Sequence, residues 1–400
     1  MKVLITVFGN PDSVLSLSKH LSEKSDVTVL LVVTGDKVRH GVLDIDLRNV
    51  PNGIITNKTE VIKYLPDEII NYFEGSFRLW ILKTPSNYFI HNKEGLKNYR
   101  IIKESSKTIN NESFDVVHFD GASGFLLFML KYFKINKKVW SLHDYKIHTG
   151  DENYSGDLMN KMYSKFNICH VQHSNFLKNE FIKYFDVNGD NVDAVYSGVY
   201  DVYNSFKPKK IKLPENFILF IGRIKKYKGL DVLIDAFDRV KYELNEHKLV
   251  IAGEGRIPEE IQGKDKVICL NRYITPSELV QLIKNSKFVI LPYRDATFSG
   301  VLMTAYNFNK PVIASSIGGI PEIVINGKTG MLFRNGDVDE LADHIYYLCN
   351  NESKINELSE GVKEFSQIGK INWISVTNKM IEVYEKDPVT EEMNITENLD

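Results

Sequence analysis

Apolar positions along this chain fall into two kinds of run that alternate from end to end. Short unbroken runs have the length of strands buried on both faces: Lys2 to Val7, Val27 to Val33, Asp115 to Phe119, Lys138 to Leu142 and Ile168 to Gln172. Between them lie stretches with helical spacing, the first from Ser13 to Glu23. A second series begins with Phe217 to Ile221 and continues with Lys248 to Ala252, Val267 to Leu270, Phe288 to Leu291 and Pro311 to Ser315. After Gly229, the residues Leu230, Leu233, Ile234, Phe237 and Leu244 form an apolar stripe. The pattern predicts an α/β protein with two tandem doubly wound parallel sheets, helices on both faces of each. Asn372 to Lys386 predicts a last helix with Trp373, Val376, Met380, Val383 and Tyr384 on one side. Residues from about 45 to 112, rich in Asn, Lys and aromatics, break the pattern and read as insertions and surface helices.

The two series meet at Lys207-Pro208-Lys209-Lys210-Ile211-Lys212-Leu213-Pro214, a charged segment bounded by prolines that suits a linker. A basic patch touching a membrane is its second reading. This places an N-terminal Rossmann-like domain at 1–206, a second at 207–370, a helix at 371–386 and an acidic, disordered tail at 387–400.

Composition narrows the picture. The net charge of −2 implies no polyanionic partner, so no nucleic acid. Cys169, Cys269 and Cys349 lie far apart, without metal spacing or a disulfide framework, as suits a reducing cytoplasm. The first apolar run is interrupted by Asn10-Pro11-Asp12, too early for a secretory signal. No run approaches the roughly 20 residues that span a bilayer. Phe125 to Lys138 reads as a buried helix, with contact to lipid as the other reading. The expected location is the cytoplasm, with peripheral contact at the inner face of the membrane left open.

Candidate chemistry concentrates from Phe220 to Asp231. A strand ends at Gly222; Arg223 follows, then Lys228, Gly229 and a helix. Glycine lets backbone approach a ligand, the cations neutralise phosphate oxygens, and the new helix points its positive end at them. The order suits a diphosphate; the bland alternative is a turn with solvated basic residues.

Further pieces follow in sequence: Ile251-Ala252-Gly253-Glu254-Gly255, Asn271-Arg272-Tyr273-Ile274, Leu291-Pro292-Tyr293-Arg294-Asp295, Lys310-Pro311-Val312-Ile313-Ala314-Ser315, Gly318-Gly319-Ile320-Pro321-Glu322 and Asn326-Gly327-Lys328-Thr329-Gly330. With Gly222-Arg223 and Lys228-Gly229, they make the chain resemble the retaining nucleotide-sugar glycosyltransferases of family 4, which have the GT-B fold. The resemblance implies two Rossmann-like domains facing a central cleft, with the last helix crossing back to the first domain. It implies a donor, a UDP- or GDP-sugar most of all, bound by Gly222, Gly253, Gly255, Arg272, Tyr273, Ile274, Ser299, Gly300, Val301 and Glu322, and weakly by Gly9. Arg223 and Lys228 grip the diphosphate and stabilise the leaving charge, so neither a cofactor nor a metal is expected. Asp44-Ile45-Asp46 and Asp337-Val338-Asp339 have a metal-site spacing but read as solvated surface.

The chain departs from the family at one place. Most members carry two glutamates seven residues apart, where this chain has Ala296 and Thr304. Asp295, one residue before the first, is a candidate partial replacement for it; Thr304 has one hydroxyl where a carboxylate would clamp two ribose hydroxyls. Asp295-Ala296-Thr297-Phe298-Ser299-Gly300-Val301 resembles a subgroup that lacks the paired glutamates. In the first half, His143-Asp144 at a strand end matches the family, and His148-Thr149-Gly150-Asp151 resembles the subgroup. The implied roles place His143 and Asp144 at the reacting sugar, while His118 reads as structural. The reaction implied is transfer of a sugar, with retention, to a hydroxyl of a sugar, glycan or lipid-linked acceptor. A sugar-nucleotide-binding GT-B subunit without activity is the alternative; a GT-B epimerase or phosphorylase is a third. No Gly-x-Gly-x-x-Gly follows the first strand, which argues against an oxidoreductase.

Overall fold

Both series of apolar runs become parallel sheets, because strands without a polar face need cover on both sides. The structure is a computed structural model; it describes residues 1–86, 93–121, 124, 126–145, 160–162, 164–244, 246–257, 261 and 263–389. The first half contributes β1 (Lys2–Val7), β2 (Asp26–Thr34), β3 (Lys37–His40), β4 (Leu43–Asp46), β5 (Gly53–Ile55), β6 (Arg78–Thr84), β7 (Val116–Asp120), β8 (Lys137–Ser141), β9 (Cys169–Gln172) and β10 (Val192–Ala194). Eight of these form one sheet in the order β10-β9-β8-β7-β1-β2-β6-β5, parallel except where β5 runs against β6. β3 and β4 form a separate antiparallel hairpin. The second half contributes β11 (Phe217–Ile221), β12 (Lys248–Ala252), β13 (Val267–Leu270), β14 (Val289–Leu291), β15 (Val312–Ser315) and β16 (Gly330–Phe333). These make a parallel sheet in the order β13-β12-β11-β14-β15-β16. In each sheet the strand order reverses beside the first strand of its half, and ligands bind at such switch points.

The stretch from 45 to 112 is not only surface. It supplies β6, whose Leu79, Trp80, Ile81 and Leu82 are buried and which pairs with β2 from Thr28↔Arg78 to Thr34↔Thr84. The first helix begins earlier than expected, at Pro11, where proline's fixed φ and missing N–H suit a helix start. The helix after Gly229 ends at Val240; Leu244 lies beyond it yet is buried. The helix Leu126–Tyr132 buries Leu126, Phe128 and Met129, and stops well before Lys138 because β8 starts at Lys137. Among the described residues no helix is long and apolar enough to cross a membrane.

Two segments join the halves. Residues 207–214 are extended and anchored: Ile211 and Leu213 pack on the core, and Lys209 donates its backbone N–H to Ser277 O at 3.1 Å. The last helix, Trp373–Glu385, crosses back to the first domain as expected. Asn372 caps it, accepting from the N–H groups of Ile374 and Ser375. Val376, Met380, Val383 and Tyr384 are buried, the indole of Trp373 stacks on His20 at 4.7 Å, and Tyr384 Oη bonds His118 Nδ1 at 2.8 Å. His118 also bonds Ser141 Oγ at 2.6 Å, the structural role expected for it. The tail from 390 onward lies outside the described residues.

The crossover carries stability. Met380→Ala, at a position 2% exposed, is expected to cost about 2–5 kcal/mol in urea denaturation.

Candidate active site

The site forms where the carboxyl ends of the two sheets face each other. β11 ends at Gly222, and β12 runs into Gly253 beside it. A Cβ at Gly253 would lie 1.9 Å from the Gly222 carbonyl oxygen, so no side chain fits there. The loops that leave these strands wall a cavity of about 400 Å³. Its second-domain wall includes Gly222, Arg223, Lys228, Gly253, Glu254, Tyr273, Ile274, Gly300, Val301 and Thr304; its first-domain wall includes Asn10, Asp12, Arg39, His40, Tyr200 and Tyr203. A second cavity of about 360 Å³ adds Gly9, Gly121, His143, Asp144, Asn160, Ala296 and Phe298. The two share Asn10, His40, Arg223, Tyr227, Lys228 and Gly300. They are therefore two chambers of one cleft, with both cations at its waist.

Those cations are held differently. Arg223 is exposed and lies in no ion pair among the described residues. Lys228 is half-buried, its Nζ 3.7 Å from the centre of the Tyr293 ring and 5.0 Å from that of Tyr227. Burial lowers its pKa, partly offset by the Tyr227 and Asp144 groups nearby. The ring faces keep it in place without neutralising it. Beneath the waist, Ser299 caps the helix Gly300–Asn307 by accepting from Leu302 N–H at 3.2 Å, and it bonds Tyr293 Oη at 3.2 Å. The free N–H groups of the first turn, at Gly300 and Val301, thus line the chamber.

On the opposite wall His143 Nε2 donates to Asp120 Oδ1 at 2.9 Å. Burial opposes charging this ring, but the Asp120 carboxylate outweighs it and raises the pKa. Asp120, 2% exposed, is itself held below the usual carboxylate range: burial pushes it up, and the His143 charge and hydrogen bond pull it down further. His173 stacks on His143 at 4.6 Å, donates to Val195 O at 3.1 Å, and is pushed down to about 3 by burial. Asp144 accepts a hydrogen bond from Thr297, across the domain boundary.

Asp120, His143 and His173 place potential metal-ligand atoms within 4.8 Å of one another. They do not suit an ion: His143 and Asp120 already bond each other, and the two rings stack rather than splay round a centre. Asp44 pairs with Lys37 at 3.0 Å and Asp46 with Arg48. Asp337 caps the helix Val338–Cys349, and Asp339 pairs with Arg239.

Four expected donor residues stand elsewhere. Arg272 folds back onto Glu278, at 2.8 and 3.2 Å, because that carboxylate sits in the capping box of the helix Pro276–Asn285. Gly255 lines neither chamber; it bridges to Ile224, whose carbonyl oxygen would sit 2.3 Å from a Cβ. Asp295 lines neither chamber, and its charge faces Tyr145. Glu322 accepts from the backbone N–H groups of Asn175 at 3.1 Å and Phe176 at 2.6 Å, and from Tyr196 Oη. It caps a first-domain helix, Asn175–Phe185, from the second domain. Thr304 does line the chamber, but its hydroxyl donates to Gly300 O at 2.8 Å and has only acceptor capacity left. His148 lies outside the described residues. Sequence reasoning missed Asn10, Arg39, His40 and Asp120. Only Asp120, in Val117-His118-Phe119-Asp120-Gly121 at a strand end, carried a signal for a role at the cleft.

Comparison with known proteins bears on the family and the fold. Residues 201–365 match the family described as Glycosyl transferases group 1. An uncharacterized glycosyltransferase of Methanocaldococcus jannaschii is 28% identical over 366 residues, covering 84% of this chain and 94% of that protein. Sucrose-phosphate synthase from Thermosynechococcus elongatus superposes with a TM-score of 0.68 at 15% identity, over 96% of this chain and 98% of the other. Anabaena HepE, solved in complex with UDP and glucose, does so with a TM-score of 0.65 at 15% identity, over 96% and 99%.

The position of Glu322 gives a test. Glu322→Gln is expected to cost about 1 kcal/mol of stability and to leave nucleotide affinity unchanged. Its pKa lies below the usual 4.5: burial would raise it, and the bonds from Tyr196, Phe176 and Asn175 outweigh that. A depressed folded pKa stabilises above the unfolded value and loses that effect as pH falls through the folded one. The gap between wild type and variant, read by denaturation, should be full at neutral pH and shrink below about pH 4.5.

Proposed function

We propose that the protein, whose residues 201–365 match the group 1 glycosyl transferases and whose fold is GT-B, is a retaining, metal-independent transferase. It moves a hexosyl group from a UDP- or GDP-sugar to a hydroxyl of a sugar, glycan or lipid-linked acceptor. The observation that carries this reading is the waist of the cleft, where Arg223, Lys228 and the N-terminus of the helix Gly300–Asn307 converge between two chambers. A nucleoside fits the chamber walled by Tyr273, Ile274 and Glu254; the sugar fits the chamber walled by His143 and Asp144.

The bond to break joins the anomeric carbon to a phosphate oxygen, and its electron pair goes to the phosphate. A cation about 4 Å from that oxygen is worth about 4 kcal/mol at an intermediate dielectric. Only the part that grows in the transition state raises the rate. The acceptor hydroxyl attacks on the same face, and its proton passes to the departing phosphate oxygen. His143, its Nε2–H held by Asp120 and its pKa raised by that carboxylate, donates to the sugar from Nδ1 when the ring is protonated, while Asp144 positions the sugar. Closing the cleft excludes water and limits hydrolysis.

A second reading has its own observation. Ala296 and Thr304 stand where the family's glutamates stand, and Thr304 has spent its proton on Gly300. A subunit that binds sugar nucleotides without turnover fits that chemistry.

Incubation with UDP-glucose, UDP-N-acetylglucosamine and GDP-mannose separates the two. Slow release of nucleotide, reduced about 10²–10³-fold in Arg223→Ala and in Lys228→Ala, is expected of the enzyme. Proton NMR of any glycoside formed should show the donor's anomeric configuration. Tight nucleotide binding with no turnover under any acceptor would establish the binding subunit instead.

A further inference from the structure

We infer that His40, on the hairpin β3–β4 of the first domain, is a ligand of the donor diphosphate from the side opposite Arg223, and that Asp12 positions it. The inference rests on the donor site proposed above.

His40 lines both chambers at their waist. It also lines a third cavity of about 350 Å³ built only from the first domain, between Gly9, Thr34 and Leu43. The side chain therefore stands where three spaces meet, beside Arg223 and Lys228. The turn that follows it is built to hold it there. Gly41 has φ 54°, and a Cβ on it would lie 1.9 Å from Asp12 Oδ1, so the carboxylate fills the place of a side chain. Asp12 is 8% exposed. Its Oδ1 accepts from Val42 N–H at 2.7 Å and its Oδ2 from Tyr203 Oη at 2.8 Å. On the other side of His40, the Arg39 guanidinium lies 5.3 Å from the centre of the Tyr273 ring in the second domain. The tip of the hairpin is thus held on both sides of His40, by Asp12 at Gly41 and Val42 and by Arg39 on Tyr273.

The charges around His40 come from every side of the cleft. Arg39 is on its own hairpin, Asp12 on the helix Pro11–Leu21, His143 at the end of β8, and Arg223 and Lys228 beyond β11. Desolvation, then Arg223 and His143, hold its pKa below the usual 6.5. Free of ligand, the exposed ring is shifted toward its neutral form, which has one N–H to give to a phosphate oxygen. A bound diphosphate neutralises the surrounding cations and supplies a partner, so the ring takes up a proton. Its pKa is expected to rise on binding.

Calorimetric titration of UDP and of GDP at pH 6, in buffers of different ionisation enthalpy, counts that proton. Wild type is expected to take up more protons on binding than His40→Gln, while the affinity of His40→Gln falls about 3–10-fold, since glutamine still donates. Burial raises the Asp12 pKa to about 6, so the Asp12 variants are read by affinity and not by protons: Asp12→Ala should lose UDP affinity as His40→Gln does, and Asp12→Asn, which still accepts from Val42, should keep most of it. Equal proton uptake by wild type and His40→Gln, with UDP or GDP bound by both, overturns the inference and leaves the donor site standing. Binding of neither nucleotide to wild type overturns the donor site, and the inference with it.

Discussion

Two positive side chains at the waist of a cleft, neither in an ion pair among the described residues, set the terms for everything around them. Holding such charges together is unfavourable unless an anion arrives or the surroundings compensate. Lys228 is compensated by aromatic faces and by the nearby Asp144 charge, without a direct ion pair among the described residues. Arg223 is compensated by water, since it is exposed. Both arrangements keep the cations available. A carboxylate in their place would occupy the ligand's position, and four carboxylates of this region are tied down elsewhere: Asp120 by His143, Asp12 by a turn, Glu322 by a helix end and Glu278 by Arg272.

The same logic separates the histidines of the first domain. His118, His170 and His173 are buried and held neutral, with pKa values pushed down to about 4, 4 and 3. His143 alone among these neighbours gives its ring to a buried carboxylate, and its pKa moves the other way. At the carboxyl end of this sheet the stacked imidazoles of His143 and His173 thus have opposite character. What distinguishes them is a single partner, Asp120, one strand away.

Much of this was legible in the sequence, and the parts that were not share a cause. β11, β12 and β13 fall where their apolar runs predicted, because glycines or charged residues mark their ends. β6 was missed although Leu79 to Leu82 is an apolar run flanked by Gly75-Ser76 and Pro85-Ser86, because the Asn-, Lys- and aromatic-rich stretch around it breaks the strand–helix alternation. β10 and β16, of three and four residues, are too short to show a period. Within the site, Arg223, Lys228 and Ser299 were readable because the local order of glycine, cation and helix start dictates where they point. Arg272 and Glu322 occupy equally suggestive motifs, yet a helix end claims each side chain. Spacing along the chain does not say which partner wins that competition. His40 and Arg39 reach the cleft only through tertiary folding, from a hairpin far away in sequence.

The chain passes between its two halves twice, through the extended segment 207–214 and again just before Trp373. A single tether would let the halves tumble about a point. Two tethers define a line, and rotation about a line is a hinge with one degree of freedom. The jaws of the cleft can then open and shut while Arg223 and His143 keep the same facing on every stroke, as the teeth of a clasp meet without being guided.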